Sequence, residues 1–281
     1  MLHTLMTMTI RGIHRNSLRT RSVAALGAGV LALSGLAACS SDDSADDADQ
    51  TPASESAEVT TEEGEANPEA EAKRSEREQK ALGAEEVEGL ALQEITQEQF
   101  AQTGTLTEQL TGNTSMHSEP PECADVFQKL QGTGGADTSA AVGRLGQDPN
   151  IPDTAFTLVL NDPSATATDY TSAFEQCGDV QMTMDLPGQD GQPQQITYQM
   201  TNEVTGATAP EGAEDFFAVK NTSNADIQGQ PVTSGIFLVS GNVGGTAIQV
   251  NAQSNAGPIS PEAEQRALDL FNQQAQKLQN G

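Results

Sequence analysis

The residues best equipped for chemistry are few. Cys39 follows an apolar run directly in "LALSGLAACSSDDSADDADQ" (31–50), Cys123 and Cys177 lie far apart, and His117 is the one histidine beyond residue 14. A thiol can be lipidated or oxidised to a disulfide, and an imidazole can serve as an acid or base near neutral pH. One histidine cannot make a multi-histidine zinc site, and the chain has no Gly-x-Ser-x-Gly elbow, His-Glu-x-x-His helix or Gly-rich phosphate loop. His117, in "TSMHSEPP", reads as an exposed loop residue. Asp185, Asp190 and Gly191 read as turn chemistry and not as a calcium loop. "GTGGAD" (132–137) reads as a flexible connection. The expectation is a protein without catalytic residues, metal or cofactor, that is, not an enzyme.

The elements that position these residues begin with export. Arg11, Arg15, Arg19 and Arg21 stand before an apolar stretch, Val23–Leu36, of about fourteen residues, with no acid among them. That length suits a secretory signal and falls short of the ~20 residues of a membrane span. The basic flank stays on the cytoplasmic side while the rest crosses. Arg19-Thr20-Arg21 lacks adjacent arginines, which favours the general secretory route.

Leu36-Ala37-Ala38-Cys39 resembles the lipobox of bacterial lipoproteins. The resemblance implies that residues 1–38 are a signal peptide, that Cys39 receives a diacylglyceryl group and becomes the first mature residue, and that its new amino group is acylated, with palmitate-type chains. Two or more chains anchor stably where one gives only marginal binding. The expected location is the extracytoplasmic face of the cell membrane, held by the lipid.

Residues 40–72 contain five Asp and seven Glu, no base and no aromatic residue. Such a segment cannot bury enough apolar surface to order itself, so 39–84 reads as a disordered acidic tether. Its span is ~35–40 Å or more. Lys73, Arg74, Arg77 and Lys80 read as a solvated helical turn at the domain edge. The chain carries a net charge of −27. Loss of residues 1–38, with four arginines and no acid, takes this to −31. A charge of that sign argues against nucleic acid as a partner and against electrostatic adhesion to anionic lipid.

Residues 85–281 are enough for one domain with a real core. Val180, Met182, Met184 and Leu186 alternate with polar residues, as do Ile196, Tyr198, Met200, Asn202 and Val204. Period-two alternation predicts two strands, and "PGQDGQP" between them predicts a hairpin. Runs at 155–160, 215–219, 235–239 and 247–250 predict further strands, the last two joined through "SGNVGGT". Ser260 as N-cap and Pro261 at the first position open a C-terminal helix whose stripe is Ala263, Ala267, Leu270, Phe271, Ala275 and Leu278. Shorter helices are expected near 95–101, 121–131 and 168–177. The expected architecture is α+β, an antiparallel sheet of five to seven strands with helices packed on one face.

With Cys39 lipidated, Cys123 and Cys177 form an even pair in an oxidising compartment, which points to a structural disulfide. A redox-active pair is the alternative, although the spacing is not Cys-x-x-Cys. Met182, Met184, Met200, Phe216 and Phe237 either line an apolar ligand pocket or fill the core.

"EPPECADVFQKL" (119–130), then "YTSAFEQCGDV" some fifty residues on, then strands and a terminal amphipathic helix, resemble the sensor-like extracellular domains of mycobacterial and related actinobacterial envelope proteins. These occur as lipoproteins and as outer parts of serine/threonine kinases. The resemblance implies a Cys123–Cys177 bridge tying a helix beside a twisted sheet, and a cleft for an unidentified ligand. Low aromatic content and a high share of Ala, Gly and Thr are compatible with an actinobacterium. The expected function is a non-catalytic, lipid-anchored, sensor-like module that binds a small envelope molecule or lipid fragment. The alternative is an accessory lipoprotein that docks a membrane or secreted protein, and an envelope hydrolase ranks last.

Overall fold

The computed structural model describes residues 67–102, 115–124, 138–163, 167–187, 193–227 and 229–281. The expected signal segment (1–38), Cys39, residues 40–66, "GTGGAD", Asp190 and Gly191 lie outside them.

Alternation builds the sheet. Strand β4 (Thr154–Asn161) is buried and half-buried in turn along TAFTLVLN. The same pattern runs through β8 (Gln230–Val243) and β9 (Thr246–Ser254). They join at Gly244-Gly245, both with positive φ (57° and 77°), the two-residue turn whose twist matches a hairpin. The predicted hairpin is β5 (Asp179–Pro187) with β6 (Pro193–Val204), and β7 (Glu214–Ile227) extends well beyond the apolar run that predicted it. Three further strands, β1 (Gln93–Ile95), β2 (Ser115–Glu119) and β3 (Val142–Gln147), bring the sheet to nine strands among the described residues, all antiparallel, in the order β1-β3-β4-β9-β8-β7-β6-β5-β2. The expected five to seven is thus an undercount. β1 is only three residues long, β2 is polar ("SMHSE"), and β3 ("VGRLGQ") interrupts its pattern with two glycines and an arginine. His117 consequently sits exposed on the edge strand β2, not in a loop.

Helices cover both faces, not one. Directly opposed residues of antiparallel strands share a face, and on one face Phe156, Leu158, Leu160, Ile248, Val250, Ala252, Phe237 and Val239 form the main core with the C-terminal helix, α3 (Pro261–Asn280). Ser260 caps α3 by accepting from the Ala263 N–H at 3.2 Å, Pro261 opens it, and the predicted stripe is buried, with Leu278 packed at its end. At Gly235 a Cβ would lie 2.5 Å from the Ile259 backbone nitrogen, so only glycine lets the segment leading into α3 lie this close to the sheet. On the opposite face Val180, Met182, Phe217 and Val219 pack with Phe174 of α2 (Ala167–Gln176) and the two cysteines.

The domain also begins earlier than expected. Residues assigned to the tether form α1 (Pro68–Lys80), capped by Asn67, with Glu69 and Glu71 at its start and Arg77 and Lys80 at its end, as the helix dipole favours. Ala81, Leu82, Val87 and Leu90 then enter the main core. Arg77 is buried, not solvated: it donates to the Ala140 carbonyl at 2.7 Å and pairs with Asp162. Charge density alone does not register that this stretch carries its own cap and a buried, paired arginine.

Candidate binding face

The two helix layers are offset. α3 lies against β4, β8 and β9, whereas α2 on the other face lies against β6 and β7. Each face of the sheet is therefore half covered among the described residues, and the two open halves differ in character.

On the α3 side the open half spans β5, β6 and the far half of β7. It presents Thr183 against Thr197 (3.3 Å), Thr201 on Asp179 (3.1 Å), Gln195 on Asp185 (3.0 Å), and Thr233 of β8 on Asn224 (2.8 Å). These side chains satisfy one another and face water, as a wet sheet surface should.

On the α2 side the open half spans β8, β9 and β4, and it is mixed. Across the strands the rows read Ile236–Gln253–Ala155, Leu238–Asn251–Thr157 and Ser240–Gln249–Val159. All but the exposed Gln249 are half-buried, and none is charged. The carboxamide oxygen of Asn251 is buried and has no hydrogen-bond partner among the described residues. An unpaired buried acceptor costs about 1–3 kcal/mol.

Two walls bound this strip. One is the helical stretch 97–102: Phe100 lies over β3 where a Cβ on Gly143 would fall 2.6 Å from its ring. The other is α2, tied down by the Cys123–Cys177 disulfide, with Cα atoms 5.8 Å apart and both residues fully buried. Burial in an apolar cluster is what a structural bridge requires. Asn202 reinforces it, donating through Nδ2 to the Cys177 carbonyl at 2.7 Å and accepting from Asn221 Nδ2 at 2.7 Å. Tyr170 of α2 stacks on Phe217 at 5.5 Å. Strands lie about 4.8 Å apart, so about 22 Å separates β3 from the midline of β6 and β7. Allowing about 5 Å for each helix radius leaves a floor about 12 Å wide.

The five residues expected to line a pocket are divided between the faces. Phe237 is buried in the main core, and Phe216 packs on it edge-to-face with Phe271 at 5.3 Å, so both lie under α3. Met182 is buried in the disulfide cluster, Met200 packs against it, and Met184 shares their face. No single pocket contains all five, because adjacent positions in a strand point to opposite faces. Asn251, Thr157 and Gln253, which floor the strip, carry no motif in the sequence.

A second depression, shallow and of about 420 Å3, lies along the start of α3 between Ile151, Glu262, Arg266 and Asp269. Its arginine is already engaged, by Asp148 at 3.2 Å and by the Glu88 carbonyl. Among the described residues no group of three or more His, Cys, Asp or Glu is placed to hold a metal, and no helix is long and apolar enough to cross a membrane.

No protein-family model and no curated protein matches the chain. Two solved structures are similar to it. The extracellular domain of PknH from Mycobacterium tuberculosis is 12% identical, covering 67% of this chain and 99% of that one at a TM-score of 0.32. A putative uncharacterized protein from Mycobacterium smegmatis is 11% identical, covering 74% and 95% at a TM-score of 0.34. At these identities and scores neither assigns a family or an activity to this chain.

Proposed function

We propose that this chain is an exported envelope lipoprotein, anchored through Cys39 to the extracytoplasmic face of the membrane, whose domain binds a small uncharged molecule on the strip between α2 and residues 97–102. The supporting observation is the unpaired, buried oxygen of Asn251, set between Leu238 and Thr157 in a row that is otherwise half-buried. A ligand with apolar surface and an N–H or O–H donor meets both demands of that row. The reading is of binding without catalysis. Among the described residues the floor of the strip carries no titratable side chain, and His117 lies on the far edge strand. A disulfide between fully buried cysteines suits an oxidising compartment outside the cytoplasm.

Native mass spectrometry of the protein recovered from its own export pathway, followed by organic extraction, tests this. The expected result is a defined extra mass that extraction removes and that Asn251→Leu fails to retain. A clean unliganded mass for the wild type overturns the small-ligand reading and turns the search to a protein docked on the same face.

A further inference from the structure

Helix α1 is a poor helix to stand alone. Thirteen residues are marginal in water, and only Ala70 and Arg77 of the thirteen are buried. Its docking is mostly polar. Arg77 donates to the Ala140 carbonyl at 2.7 Å and pairs with Asp162, and Lys73 lies 3.7 Å from the same carboxylate. Glu78 pairs with the buried Arg144 of β3.

The carbonyl that Arg77 holds has a neighbour with a second client. The next carbonyl along the chain, that of Ala141, accepts from Gln97 Nε2 at 2.9 Å. Gln97 opens the helical stretch 97–102, which carries Phe100 over Gly143. Two consecutive peptide groups at the entry to β3 thus hold the membrane-side helix and one wall of the strip.

We propose that α1 is a releasable latch. Docked, it holds the 140–141 peptides in place and thereby the wall at 97–102. Released, it frees that wall, so the state of the chain leading to the membrane and the shape of the binding face are coupled. Because the coupling is a free energy between two sites, it acts in both directions. The importance of the wall rests on the binding reading above, whereas the coupling itself can be measured with no ligand.

Hydrogen–deuterium exchange on the full exported chain measures it. Asp162→Asn removes a half-exposed partner and leaves the core intact. It should speed exchange across 68–80 by about two- to fivefold, because the pair is screened on its half-exposed carboxylate side, and speed exchange across 96–102 as well. Gln97→Ala should, reciprocally, speed exchange across 68–80. Residues of β8 and β9 should keep wild-type rates in both variants. Faster exchange confined to 68–80 in Asp162→Asn, or no change there, overturns the latch. Arg77→Met should reproduce the Asp162→Asn pattern, and where it instead loosens the whole domain Asp162→Asn decides. A clean unliganded mass in the preceding experiment leaves this result standing.

Discussion

Removing the disulfide is the most direct test of how α2 is held. Cys123 and Cys177 are separated by 54 positions, and closing a loop of that length removes unfolded-chain entropy worth about 4 kcal/mol in the loop-closure model. Both cysteines are fully buried against Phe174, Val180, Met182 and Phe217, so the double variant Cys123→Ala/Cys177→Ala leaves only a small void. Asn202 keeps its hold on the Cys177 carbonyl, and its own N–H still bonds the Gly178 carbonyl at 2.5 Å. The native fold should therefore survive while its stability falls by about 4 kcal/mol. For a domain of this size that is a fall of about 8–16 °C in Tm, or about 1.5–2 M in the urea midpoint. The assay is urea denaturation of the double variant, of oxidised wild type, and of wild type reduced while unfolded and refolded under reductant. The reduced wild type should overlay the double variant, with a steeper transition than the oxidised protein because its denatured state is more open. Two free thiols in unfolded, unreduced wild type, or a stability change under about 1 kcal/mol, would refute the reasoning.

Other perturbations read other parts of the molecule. Asn251→Leu, which removes an unpaired buried acceptor, should leave the unliganded domain as stable as wild type or up to about 1–2 kcal/mol more stable; thermal denaturation in parallel with ligand retention would show whether function and stability oppose each other at this position. The Lys277 ammonium beside Glu86, with help from the Gly83 N–H, holds that carboxyl below the usual carboxylate range. A depressed folded pKa means the contribution is complete above the unfolded value near 4.5 and is lost as pH falls through the folded one. Glu86→Gln should therefore flatten stability against pH below about 4.5, with little effect at pH 7, since the pair is half exposed. Cys39→Ala should release the protein from membranes into the medium, and unchanged membrane retention on fractionation would defeat the lipoprotein assignment.

Some of the site was legible before any fold was known. Cys123 and Cys177 stand out because the one other cysteine, Cys39, reads as a lipidation site. Asn251, Thr157 and Gln253 did not, since an amide or hydroxyl on a strand's half-buried face looks the same in sequence whether it meets water or a ligand. Gln274 was equally hidden. It lies fully buried in the apolar stripe of α3, where its Oε1 accepts from the Leu82 N–H and its Nε2 donates to the Lys80 carbonyl, both at 2.9 Å. A buried amide of this kind is recognisable only once its distant partners are in place.

The amino-acid sequence by itself determined the strands with clean two-residue alternation, the capped and striped C-terminal helix, the Gly-Gly hairpin and the pairing of the last two cysteines. Each follows from local spacing or simple counting, which needs no knowledge of neighbours. Tertiary structure alone decided that the described residues form a nine-stranded sheet, that its helix layers are offset on opposite faces, that Phe237 and Met182 face away from each other, and that α1 docks through a buried arginine. Those outcomes depend on which surfaces meet. β3 and α1 are held by the buried Arg144 and Arg77, whose counter-charges, Glu78 and Asp162, lie 66 and 85 positions away, and no local pattern registers a charge satisfied at that distance.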